Sequence, residues 1–221
     1  MNGDPAEGPH QGGEVCARGA PLDEAVAAMI LLHGRGGTAE GILTLVPSLN
    51  RPDYAYLAPQ AAANSWYPYS FLAPLAQNEP GLSSGLRVLS DLVEELAAAG
   101  VPPGRIVLLG FSQGGCLALE FAARNARKYA GVIGLSGGLI GPDETPRDYR
   151  GSLAETPVFL GCSDVDPHIP LQRVYETDRV LTALDGDVTV RIYPEMGHTV
   201  NDDEIEFVRG FLSGATRDSP A

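Results

Sequence analysis

Polar and apolar positions alternate in blocks along the chain. Ala27-Ala28-Met29-Ile30-Leu31-Leu32 is a continuous apolar run that stops at His33-Gly34. Such a run, too short for a helix and bounded by glycine, reads as a strand buried on both faces. Tyr54–Ala58 reads the same way up to Pro59, and Ile106–Leu109 up to Gly110. Gly131–Leu135, Pro157–Leu160 and Val188–Tyr193 follow, with a weaker early strand near Glu14–Arg18.

Between these runs the period changes to that of a helix. Within Ser83–Ala99, Leu86, Leu89, Val93 and Leu96 recur at steps of three and four, and Gly100 and Pro102 end the segment. Gln113–Asn125 is apolar on most faces, as a helix packed on a sheet must be, and Leu171–Leu184 and Asp202–Leu212 complete the set. Buried strands alternating with helices predict an α/β fold, with a mostly parallel central sheet covered by helices on both faces. One domain is expected over residues 14–216. The Gly/Pro-rich residues 1–13 and the end, 217–221, read as flexible tails.

Composition narrows the function more than the fold. The 221 residues are 44% hydrophobic and 19% charged, ordinary values for a folded domain. Net charge is −13, which disfavours nucleic acid and acidic membranes as partners. Three irregularly spaced cysteines form neither a disulfide framework nor a zinc motif, so no metal or cofactor is expected. The start lacks a basic, then apolar, secretory pattern, and no apolar run is long enough to span a bilayer. These features fit a cytoplasmic protein.

The chemistry is concentrated where strands end. Gly110-Phe111-Ser112-Gln113-Gly114 has the G-x-S-x-G form and sits between a strand and a helix. In that context the serine occupies a sharp turn that lifts its hydroxyl above the sheet as a nucleophile. A base and an orienting carboxylate should follow, in the order Ser, acid, His. His198, in Glu195-Met196-Gly197-His198-Thr199 after the last strand, is the candidate base. His10 falls in the expected tail, His33 fits a structural role, and His168 reads as a pocket or surface residue. Asp164 and Asp166 both follow Pro157–Leu160; either suits the acid, leaving the other to cap the next helix. Backbone N–H groups of Gln113 and of Arg35, in His33-Gly34-Arg35-Gly36-Gly37, are the expected oxyanion donors. Trp66, Tyr67, Tyr69 and Phe71 form the densest aromatic cluster and are candidate substrate contacts.

Taken together, Leu32–Gly36, Ser65-Trp66-Tyr67, Gly110–Gly115, Asp166-Pro167-His168-Ile169-Pro170 and Glu195–His198 resemble the phospholipase/carboxylesterase family. Its best-known members are acyl-protein thioesterases of the α/β-hydrolase fold. The resemblance implies that Asp166, in the Asp-Pro-x-Val-Pro block, is the acid. It also implies a cofactor-free esterase that exists as a monomer or homodimer. Arg35 stands where thioesterases commonly carry an apolar residue, and Trp66–Phe71 look closer to bacterial predicted esterases near the dienelactone hydrolases. Those hydrolases use cysteine where this chain has Ser112. The implied activity is hydrolysis of small to medium acyl or aryl esters. Its rivals are an acyl-protein or acyl-CoA thioesterase, a lysophospholipase, and a non-catalytic binding module on a hydrolase fold.

Overall fold

The computed structural model describes residues 8–214; residues 1–7 and 215–221, which hold most of the expected tails, lie outside the described residues. Seven strands form one sheet in the order β1-β3-β2-β4-β5-β6-β7. They are β1 (Val15–Gly19), β2 (Ala27–Leu32), β3 (Tyr54–Pro59), β4 (Ile106–Phe111), β5 (Gly131–Leu135), β6 (Pro157–Ser163) and β7 (Asp187–Tyr193). Only β1 runs antiparallel, pairing with β3 at one edge. The other neighbours are parallel.

Strand alternation sorts the core into two layers. From β2, Ala28, Ile30 and Leu32 face one side, while Ala27, Met29 and Leu31 face the other. The first layer is covered by α3 (Gly81–Ala98), α4 (Gln113–Arg124) and α5 (Leu171–Ala183). The second is covered by α6 (Asp202–Gly214) and by two short turns, α1 (Ala39–Ile42) and α2 (Val46–Leu49). Helices thus lie on both faces of the mostly parallel sheet.

Two segments depart from the expected pattern. The glycine-rich residues 8–13, read as tail, pack against the body. His10 is buried, its N–H donates to Ser84 Oγ at 2.9 Å, and Gln11 bonds the Ser84 carbonyl. Residues 136–155 cross between β5 and β6 without a regular element. They are held by buried charge: Arg173 donates to the carbonyls of Leu139 and Gly141, and Glu120 accepts from the N–H of Ile140 and from Tyr149 Oη.

The strand order reverses between β2 and β4. The chain leaves β2 toward β3 on one side and returns to β4 on the other. Loops after these two strands therefore diverge above the sheet and leave a crevice at their carboxyl ends, where open α/β sheets bind ligands.

Candidate active site

Ser112 sits in that crevice, between β4 and α4, with φ 56° and ψ −120°. This left-handed conformation is costly for a residue with a Cβ and persists only where the surroundings enforce it. The enforcement is steric. Gly110 and Gly114 allow strand, turn and helix to touch, because a Cβ on Gly110 would overlap Gly114 and meet Gly115 N at 2.5 Å. The turn is pinned further by Ser112 N–H donating to Leu135 O at 2.8 Å.

Loops from β6 and β7 bring the remaining groups to the hydroxyl. His198 Nε2 lies 2.8 Å from Ser112 Oγ, and His198 Nδ1 lies 2.7 Å from Asp166 Oδ2. The acid's other oxygen, Oδ1, accepts the N–H groups of His168 at 2.8 Å and Ile169 at 3.0 Å. Burial works to raise the Asp166 pKa, but the bond from His198 and these two N–H groups outweigh it and hold the carboxyl below its usual range. An ionised Asp166 keeps the proton of His198 on Nδ1 and leaves Nε2 free to accept from Ser112. Such a chain can move a proton off the serine hydroxyl as it attacks a carbonyl.

Asp164 has a different task. Its Oδ1 accepts the N–H of Glu195 at 2.8 Å, and neighbouring Ser163 Oγ accepts that of Gly197 at 3.2 Å. Both bonds tie the β6 loop to the loop that carries His198. The alternative of capping α5 does not arise, since Pro170 occupies that N-cap without a side-chain bond.

A cavity of about 540 Å³ opens over Ser112, within the usual size range for small-ligand sites. Its walls include Tyr67, Tyr69, Phe71, Phe111, His168 and Ile169, and Arg35 and Gln113 also line it. Tyr69 is 58% exposed at the rim. His168 meets His198 edge-on, with ring centroids 4.7 Å apart. Cys162 is buried behind Asp166, with its thiol 3.9 Å from Oδ2, and burial pushes its pKa up to about 12.

Trp66 does not take the expected role of a substrate contact. It is 0% exposed and braces the site from behind. Its indole N–H donates to His33 O, its backbone N–H to Gln113 Oε1, both at 3.0 Å, and its carbonyl faces His10 Nε2 at 2.9 Å. The ring packs between His10 and His33. Each imidazole also accepts a backbone N–H, from Ala62 to His10 Nδ1 and from Ala61 to His33 Nε2. These acceptor roles require neutral rings, and burial lowers both pKa values. Sequence reasoning missed His10 because its partner lies 56 residues away and no local pattern marks it.

The far end of the His198 loop is anchored at α6. Asn201 N–H donates to Glu204 Oε2 at 2.9 Å and Glu204 N–H to Asn201 Oδ1 at 2.8 Å, a reciprocal cap. Glu204 is fully buried and its Oε1 has no partner among the described residues. Burial, aided by Asp203 and opposed by the Asn201 N–H, raises its pKa from 4.5 to about 7. The folded value exceeds the unfolded one, so this stabilisation is complete below pH 4.5 and is lost as pH rises through about 7. Glu204→Gln is therefore expected to raise Tm at pH 8 and to change it little at pH 5. Thermal melts at the two pH values check this, and equal shifts would contradict it.

No helix among the described residues is long and apolar enough to cross a membrane, and no cluster of His, Cys, Asp and Glu among them is arranged to hold a metal ion. The phospholipase/carboxylesterase family model matches residues 19–215. A crystal structure of a phospholipase/carboxylesterase from Dyadobacter fermentans superposes with a TM-score of 0.90 at 43% identity, over 94% of this chain and 99% of that one. The crystal structure of esterase PE8 gives 0.74 at 25% identity, over 92% and 98%. Acyl-protein thioesterase 1 of Gibberella zeae is 29% identical, over 84% of this chain and 89% of its own. A strained serine after β4, a histidine and a carboxylate delivered by later loops, and a family match over nearly the whole chain lead to one conclusion: this chain belongs to the phospholipase/carboxylesterase family and is a hydrolase of the α/β-hydrolase fold.

Proposed function

We propose that the chain is a serine carboxylesterase acting on small to medium acyl or aryl esters. The hydrogen-bonded chain Ser112 Oγ–His198–Asp166, at 2.8 and 2.7 Å, carries this reading. Ser112 Oγ attacks the ester carbonyl while His198 Nε2 takes its proton. The oxyanion is received by the backbone N–H groups of Arg35 and Gln113. His198 then returns the proton to the departing alcohol. Water, deprotonated by His198, next cleaves the acyl-enzyme and restores Ser112. Asp166 stabilises the imidazolium formed at each stage. Tyr67, Tyr69 and Phe71 supply the apolar surface for the acyl or aryl group.

Hydrolysis of p-nitrophenyl esters from acetate to palmitate tests the reading and ranks chain lengths. Ser112→Ala is expected to lower kcat by about 10⁴-fold or more and to abolish labelling by a fluorophosphonate probe. Full activity in that variant would sink the proposal, and failure of the probe to label the native serine would favour a binding module. A second reading, an acyl-thioester hydrolase, draws support from the relatives named acyl-protein thioesterase 1. The same groups would serve it, so matched rates on oxygen esters and thioesters separate the two.

A further inference from the structure

Arg35 is the arginine that lines the cavity over Ser112 among the described residues; Arg105 and Arg127 also donate to backbone carbonyls, but away from that cavity. Arg18, Arg51, Arg124, Arg147, Arg173 and Arg191 each hold a carboxylate. The partners of Arg35 are neutral. Its Nη1 donates to Ser65 Oγ and to Pro68 O, both at 2.9 Å, and its Nη2 donates to Tyr69 O at 2.5 Å. The guanidinium also lies 5.9 Å from the centre of the Tyr67 ring.

A guanidinium has five N–H donors. The bonds to Ser65, Pro68 and Tyr69 use both donors of Nη1 and one of Nη2. Nε–H and one Nη2–H have no partner among the described residues. Nε and Nη2 sit on the edge of the guanidinium through which arginine grips a carboxylate. Arg35 lines the cavity over Ser112, and no Asp or Glu lines it among the described residues. The clamp on residues 65–69 holds the guanidinium in place before any ligand arrives, so little further side-chain freedom is lost on binding. Elsewhere the net charge of −13 repels anions, which makes an uncompensated positive group beside the nucleophile a selective feature rather than a general attraction.

We propose that Arg35 recognises a carboxylate on the substrate, so that the preferred substrates are esters carrying one negative charge on the acyl or the alcohol side. This rests on the ester-hydrolase reading above. Chemistry at the carbonyl is unchanged: water adds across the ester C–O bond, giving acid and alcohol, and the recognised carboxylate makes and breaks no covalent bond.

Two matched pairs test it. On the acyl side, mono-p-nitrophenyl adipate is compared with p-nitrophenyl hexanoate; on the alcohol side, 4-(butyryloxy)benzoate is compared with its methyl ester. The charged member of at least one pair is expected to show kcat/KM higher by about tenfold or more, mainly through KM. Added salt should erode the preference. Arg35→Gln should bring the ratio close to one, and Arg35→Lys should keep part of it. Because both members of a pair use the same serine and oxyanion donors, general damage to the site divides out of the ratio. Hydrolysis without a charge preference, or an unchanged ratio in Arg35→Gln, overturns this inference alone. Absence of Ser112-dependent hydrolysis of all four esters overturns the ester-hydrolase reading and this inference with it.

Discussion

Asp166→Asn is expected to lower kcat/KM on p-nitrophenyl butyrate by about 10⁴-fold, whereas Asp164→Asn should cost about tenfold at most. The difference follows from what each carboxylate holds. Asp166 accepts His198 Nδ1–H on one oxygen, which the Cys162 thiol also meets at 3.9 Å, and the N–H groups of His168 and Ile169 on the other. An asparagine there can satisfy the ring or the backbone in only one orientation. If its NH2 group turns toward His198, the ring must expose Nδ1 as acceptor, which puts the proton on Nε2 and removes the base facing Ser112. If the oxygen stays toward the ring, the NH2 group meets two backbone N–H donors. In either orientation the negative charge that stabilises the imidazolium is gone. Asp164 accepts the N–H of Glu195 through one oxygen, and an asparagine can keep that bond. Steady-state kinetics on the two variants, with circular dichroism to verify folding, decides the matter. Comparable losses would mean that Asp166 does not act as the orienting acid.

These two aspartates show where sequence reasoning stops. They lie two positions apart in the same loop, so no count of residues separates them; the difference is which way each side chain points. β2 and β4 were legible because strands buried on both faces leave an uninterrupted apolar run. Ser112 was legible because its motif combines a type of residue with a strand–turn–helix context. His198 followed from chain order after β7. Trp66 was misread because an aromatic cluster announces burial or contact without saying which, and its indole turned inward to His33 O. His10 was misread because Gly/Pro-rich surroundings signal a loose end, while the bonds that fix it reach Ala62, Trp66 and Ser84. Residues 136–155 had no periodicity to read, since hydrogen bonds between the buried Arg173 and Glu120 side chains and Leu139, Ile140, Gly141 and Tyr149 hold them in place of a regular ladder.

Gly114→Ala and Gly210→Ala make the same chemical change in two helices and are expected to give opposite results. Gly210 lies in α6, where a Cβ would meet nothing within 4 Å. Alanine there should stabilise by up to about 1 kcal/mol through helix propensity and leave activity intact. Gly114 lies in the first turn of α4, pressed against the end of β2. A Cβ there would overlap Leu32 O and would meet Leu32 C at 2.5 Å and His33 O at 2.6 Å. All three are backbone atoms, so no side chain can rotate away. Reaching van der Waals separation opens the helix–strand contact by about 1 Å. That contact sets the distance between the turn bearing Ser112, which leads into α4, and the loop bearing Arg35, which follows β2. A misplacement of that size between the serine and the proposed oxyanion donors is expected to cost about 10²-fold in rate. Overpacking against fixed backbone adds a loss of about 1–3 kcal/mol in stability. Gly114→Ala is therefore expected to lower both kcat/KM and Tm, with activity falling further than the unfolded fraction explains. Native kinetics in Gly114→Ala would show that the close approach of α4 to β2 does not set the geometry of the serine.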